Sequence, residues 1–261
     1  METPTSNKFY PLPCMLTLTS LFSGFYSIVA SINGHFYAAA VAILIAAIFD
    51  GLDGRVARMT GSTSRFGMEL DSLCDLVSFG VAPALLAYLW ALTPYGRYGW
   101  LAAFLFVATT ALRLARFNSM ALAGEEKAAD TKEKKSHNFI GLPCPAAAGM
   151  IATAVMFCRF LGAEETVKHI SLLLLVYILS YLMVSTHPYQ SFKQINLSRE
   201  KKFQAIVGMV LLLILLATEP PVTLFIVSLI YILSGPVMAS VSFLAGQRQK
   251  IGAGKNRPED L

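Results

Sequence analysis

The chain has 261 residues, 55% hydrophobic and only 14% charged, with a formal net charge of +5. A soluble domain carries about 25% charged residues, so composition excludes an ordinary globular protein and indicates a polytopic membrane protein. The pI of about 9.0 matches the Lys/Arg excess that membrane proteins keep on the cytoplasmic side, and does not require nucleic acid as a partner.

Residues 1–13 are polar and read as an N-terminal cytoplasmic segment. No A-x-A-like site follows the first apolar run, so that run is expected to be retained as a span. A spanning helix needs about 20 mostly apolar residues. Such runs are predicted over 15–32, 36–56, 70–92, 98–120, 142–162, 167–186, 204–218 and 221–244. Helices are required because lipid leaves no partner for an unpaired backbone group. The predicted fold is all-α: a polytopic bundle of about eight transmembrane helices forming one membrane-embedded domain, 1–261. The third run opens on Glu69, Asp71 and Asp75, which is polar for a span, and the seventh is short. Between the fourth and fifth runs, 121–141 reads as a solvated loop near headgroups. The stretch 187–203 is similar, and 247–261 reads as a basic flexible tail.

Eight crossings put both termini on one side. Eighteen Lys/Arg residues then share that side, against Arg97, Arg159 and Lys168 on the other. This asymmetry predicts cytoplasmic termini. Trp90, Tyr95, Tyr98 and Trp100 read as an aromatic belt at the opposite face. Cys14, Cys74, Cys144 and Cys158 form no CxxC pair and read as small buried hydrophobes.

The stretch Asp50–Asp75 is DGLDGRVARMTGSTSRFGMELDSLCD. On a helix, Asp50, Asp53, Gly54, Ala57 and Arg58 share one face. Gly67, Asp71 and Asp75, four apart, share another. The polar residues between, Met59 to Arg65, suit a tight connection, so the two acidic faces can meet across an antiparallel pair. Four carboxylates at one membrane depth repel each other and are costly in lipid. Two divalent cations, Mg²⁺ or Mn²⁺, answer both problems, and such a pair can clamp phosphate oxygens. Gly54 and Gly67 clear room for a ligand, and Arg58 offers a fork suited to phosphate. The bland alternative is that the aspartates pair with arginines to hold helices together. Another is a divalent-cation transporter, but Asp50 to Asp53 covers only about 4.5 Å along the axis and Asp71 to Asp75 about 6 Å, too short for an ion path.

The string D-x-x-D-G-x-x-A-R-x8-G-x3-D-x3-D, carried by Asp50, Asp53, Gly54, Ala57, Arg58, Gly67, Asp71 and Asp75, resembles the signature of the CDP-alcohol phosphatidyltransferases. The resemblance implies metal ligation by Asp50, Asp53 and Asp71, with Asp75 close to a metal and acting as general base. It implies CDP contacts from Gly54, Arg58 and Ser64, and a substrate-facing surface that includes Ala57 and Gly67. Pro13 to Thr17 resembles the segment that approaches the nucleotide, with Cys14 where that family usually has Asn.

Three further stretches resemble bacterial and archaeal membrane-embedded phosphatidylserine synthases: Asp75-Leu-Val-Ser-Phe-Gly-Val-Ala-Pro83, Ala111-Leu-Arg-Leu-Ala-Arg-Phe-Asn118 and Gly141-Leu-Pro-Cys-Pro145. The implied substrates are CDP-diacylglycerol and L-serine, the implied setting is the cell (inner) membrane with the site facing the cytoplasm, and the implied assembly is a homodimer among membrane lipids. Arg113, Arg116, Asn118 and Ser78 are candidates for the acceptor or phosphate pocket. Arg113 and Arg116 suit either the serine carboxylate or the lipid phosphate, and either can instead snorkel to headgroups. Ser78 can instead bond its own helix backbone. Glycerol phosphate, inositol phosphate and choline are alternative acceptors for the same chemistry.

Overall fold

The computed structural model describes residues 11–60, 65–128, 141–162, 168–185 and 199–254. Among the described residues the secondary structure is entirely helical. Helix α1 (Pro11–Ile32) turns into α2 (Phe36–Thr60) at Gly34, whose φ of 76° only glycine adopts freely. The Gly34 N–H donates to Ser31 O and the His35 N–H to Ala30 O, which satisfies the last carbonyls of α1.

The third rod begins as α3 (Arg65–Asp75), passes through a π-helical stretch at Leu76–Val81, and resumes as α4 (Ala82–Ala87). A second π stretch, Tyr88–Leu92, and a 3₁₀ turn, Thr93–Tyr95, complete it. The sequence predicts a plain helix here. Pro83 is the reason for the difference: it has no N–H for the carbonyl four residues back, and the Ala82 N–H reaches five residues back to Val77 O. The widened turn therefore starts directly after Asp75.

The remaining helices are α5 (Arg97–Ala128), α6 (Cys144–Phe160), α7 (Lys168–Val184), α8 (Arg199–Thr218) and α9 (Pro220–Gly254). Two ends differ from expectation. Helix α5 runs to Ala128 rather than stopping at the polar insert, because Ala121, Leu122, Glu125, Glu126 and Lys127 are strong helix formers. Helix α9 runs to Gly254, so 247–254 continues as helix where a flexible tail is expected. The rest of both segments, 129–140 and 255–261, lies outside the described residues.

Five helical stretches are long and apolar enough to cross a membrane: Pro13–Ile32, Phe36–Thr60, Phe66–Tyr95, Arg97–Met120 and Pro220–Val237. Cys144–Phe160, Ile170–Val184 and Val207–Thr218 are shorter apolar helices. The core is rich in alanine: Ala39, Ala40, Ala46, Ala82, Ala87, Ala147, Ala148 and Ala152 are buried around Ile43, Phe79, Phe106 and Ile151. Small residues let helices approach closely, which is the main source of association where lipid is as apolar as the core. The closest partners are α1 with α2, α5 with α7, and α6 with both α2 and α9. Phe157 of α6 and Phe225 of α9 stack with centroids 4.5 Å apart.

Candidate active site

Asp50 and Asp53 lie in the second half of α2, and Asp71 and Asp75 in the second half of α3. One carboxylate oxygen each from Asp50, Asp53 and Asp71 lie within 4.8 Å of one another. Asp75, one turn beyond Asp71 on α3, lies near enough to feel the charges of Asp50, Asp71 and Asp53. The two acidic faces meet as the spacing predicts.

Asp53 is the most enclosed of the cluster, 4% exposed. Its carboxylate accepts the Thr17 hydroxyl at 2.8 Å. Thr17 comes from α1, so a third helix holds the site. Among the described residues, none of the four aspartates forms an ion pair with an Arg or Lys. Three carboxylates from two helices, uncompensated and mostly dehydrated, are a donor set of hard oxygens, and these suit Mg²⁺ or Mn²⁺.

Room for a ligand lies next to this cluster. A Cβ on Gly54 would meet only Arg58 Nη1, at 3.8 Å. The half-buried Ala57 and the exposed Arg58 continue that face, while the half-buried Gly67 lies one turn before Asp71. Ser64 lies outside the described residues.

Residues 10–180 match the family described as CDP-alcohol phosphatidyltransferase. The chain belongs to that family. Similar curated proteins carry more specific names. A CDP-diacylglycerol–serine O-phosphatidyltransferase from Helicobacter pylori is 38% identical over 193 residues, covering 73% of this chain and 76% of the relative. One from Mycobacterium leprae is 43% identical over 152 residues, 56% of this chain and 48% of the relative. An archaetidylserine synthase from Methanothermobacter thermautotrophicus is 40% identical over 148 residues, 56% of this chain and 58% of the relative.

Within this CDP-alcohol phosphatidyltransferase fold, the four residues proposed for the acceptor pocket separate. Arg113 points inward from α5. Its Nη1 donates to Cys144 Sγ at 3.3 Å, and its Nε is buried without a partner. A thiol is a weak acceptor, so this guanidinium retains unmet capacity for an anion. Arg116 is exposed. Asn118 is turned to α3, where it bonds Ser72.

Ser78 and Thr17 are each engaged across a helix contact. Ser78 is fully buried and donates to Ser20 O of α1 at 3.3 Å. Its hydroxyl bonds α1 rather than its own helix backbone, and the π stretch carries it against Gly24. The Thr17 hydroxyl is directed to Asp53.

Sequence reasoning missed Ser72 and Cys144 as neighbours of the site. Ser72 sits one residue from Asp71, but its partner is 46 residues away and no spacing announces it. Cys144 is 0% exposed, as a small buried hydrophobe should be. Its contact with Arg113 carries no sequence signal. None of the four cysteines forms a disulfide among the described residues.

Proposed function

We propose that this chain transfers the phosphatidyl group of CDP-diacylglycerol to the hydroxyl of L-serine, giving phosphatidylserine and CMP. The observation that carries the reading is the meeting of the Asp50, Asp53 and Asp71 carboxylates within 4.8 Å, with Asp75 one turn beyond Asp71, in a member of this family. The names of the relatives from Helicobacter pylori and Mycobacterium leprae support serine as acceptor.

Asp50, Asp53 and Asp71, with Asp75 at the border, would hold two divalent ions. When bound, Mg²⁺ or Mn²⁺ supplies positive charge against the diphosphate. The protein's own groups do the rest. Gly54, Ala57 and Gly67 keep a lane open for the CDP moiety, with Arg58 and Ser64 as contacts. Asp75 takes the proton of the serine hydroxyl. The serine oxygen bonds to the β-phosphorus on the lipid side as the bond from that phosphorus to the CMP oxygen breaks. The electron pair leaves on CMP, beside the Arg58 guanidinium. Arg113, with its unmet donors, receives the serine carboxylate. Arg116 lies at the rim of that pocket, and Asn118 supports it through α3.

The lysine and arginine asymmetry supports eight spans with both termini and the site on the cytoplasmic side of the inner membrane. Family resemblance supports a homodimer. The test is direct. Purified protein receives CDP-diacylglycerol with serine, glycerol phosphate, inositol phosphate or choline in turn. CMP release and a phosphatidylserine product are expected with serine, are expected to stop with a chelator, and to return with Mg²⁺ or Mn²⁺. CMP release with another alcohol and none with serine overturns the acceptor.

A further inference from the structure

We propose that Thr17 is a positioning residue that sets the carboxylate of Asp53 for metal binding, an inference that rests on the acidic cluster being the metal site. Thr17 is 6% exposed and Asp53 is 4% exposed, so water does not reach this pair freely. The Thr17 hydroxyl has one proton and two acceptors in range: Asp53 Oδ2 at 2.8 Å and Pro13 O at 3.1 Å. The charged and nearer acceptor wins, because hydrogen bonds to ionised groups are shorter and stronger. With Oδ2 held by Thr17, the carboxylate is restrained in its orientation relative to Asp50 and Asp71.

Helix α1 is itself held in register for this task. One turn on from Thr17, the Ser20 hydroxyl donates to Ala46 O at 3.0 Å, and Ser23 follows with Ala42 O at 2.8 Å. The three hydroxyls step along α1 as their partners step back along α2. A slip of one residue would break all three bonds. The ladder therefore pins the height at which Thr17 meets Asp53. Groups that orient metal ligands in this way change affinity by about 10- to 100-fold when removed.

The experiment uses the full chain, purified in detergent without substrate. Free Mn²⁺ is followed by electron paramagnetic resonance during titration of wild type, Thr17→Val, Thr17→Ser and Asp53→Asn. Thr17→Val is expected to weaken Mn²⁺ about 10- to 100-fold, and Thr17→Ser, which keeps the donor, to bind as wild type does. In an Asp53→Asn background, Thr17→Val is expected to add no further loss, since the two act as one unit. Should Thr17→Val not fold, Thr17→Ala carries the same comparison.

Wild-type Mn²⁺ affinity in Thr17→Val overturns the inference. So does a rise in the KM for CDP-diacylglycerol with Mn²⁺ binding unchanged, which would make Thr17 a direct substrate contact. If Asp53→Asn itself leaves Mn²⁺ binding intact, the metal site as read is wrong and the positioning role falls with it.

Discussion

Ser72 of α3 and Asn118 of α5 hold each other by their side chains. The Asn118 Nδ2 donates to Ser72 Oγ at 3.0 Å, and the Ser72 hydroxyl faces Asn118 Oδ1 at 3.2 Å. Ser72 also has the Met68 carbonyl at 3.1 Å, so its proton has an alternative acceptor on its own helix. The Asn118 link is the one that crosses between helices, and it does so one residue from Asp71.

Replacing Asn118 with Leu removes that link. Side-chain hydrogen bonds between membrane helices average about 0.6 kcal/mol, so thermal stability in detergent should barely move. Activity should move more, because α3 carries half of the acidic cluster, and small misplacements at reacting atoms are expensive. We expect a fall in kcat of at least about tenfold, or about 1.4 kcal/mol, with the melting temperature near wild type. Equal losses in both would reduce Asn118 to a packing role.

Asp75→Asn separates proton transfer from metal binding. The amide keeps the size of the side chain and loses the base. Turnover should fall by about 10² to 10⁴, the range for a lost general base, while Mn²⁺ titration changes little because Asp50, Asp53 and Asp71 form the close cluster without it. Full activity in this variant would remove Asp75 as the base.

The acidic site was legible because both of its faces are written locally. Asp50 with Asp53, and Asp71 with Asp75, follow helical spacing, and the short polar stretch between them forces the faces together. The helical rods were legible for a similar reason, since hydropathy and the backbone's need for partners leave few options in lipid. What spacing does not encode is contact between distant helices. Thr17 on Asp53, Asn118 on Ser72 and Arg113 on Cys144 join residues 31 to 46 positions apart. The π stretch after Asp75 was missed because the pattern around Pro83 is apolar throughout, and hydropathy is blind to a change of helical pitch.

Arg113→Gln tests the acceptor pocket. The guanidinium has a buried Nε without a partner and only a thiol on Nη1, so its removal should not strand a buried carboxylate. The KM for serine should rise by at least about tenfold, as a charge-assisted bond of roughly 1.5–3 kcal/mol is lost, with the KM for CDP-diacylglycerol little changed. A rise confined to CDP-diacylglycerol would move Arg113 from the acceptor to the lipid phosphate.

Gly24→Ala probes the crossing of α1 with the π stretch. A Cβ at Gly24 would come within 2.7 Å of Ser78 Cα and would also overlap the Ser78 hydroxyl. Because a backbone atom is in the way, no rotamer change relieves the clash, and the helices must separate. Overpacking of this kind costs about 1–3 kcal/mol, readable as a lower melting temperature in detergent. Trimming the neighbour tests the cause. Ser78→Ala removes the hydroxyl but not the Cα, so the double variant should recover little stability. Activity should fall further than stability alone explains, since Ser78 lies three residues beyond Asp75 and the same displacement shifts that carboxylate from Asp50. If Ser78→Ala restored wild-type behaviour, the hydroxyl rather than the backbone would set the helix separation.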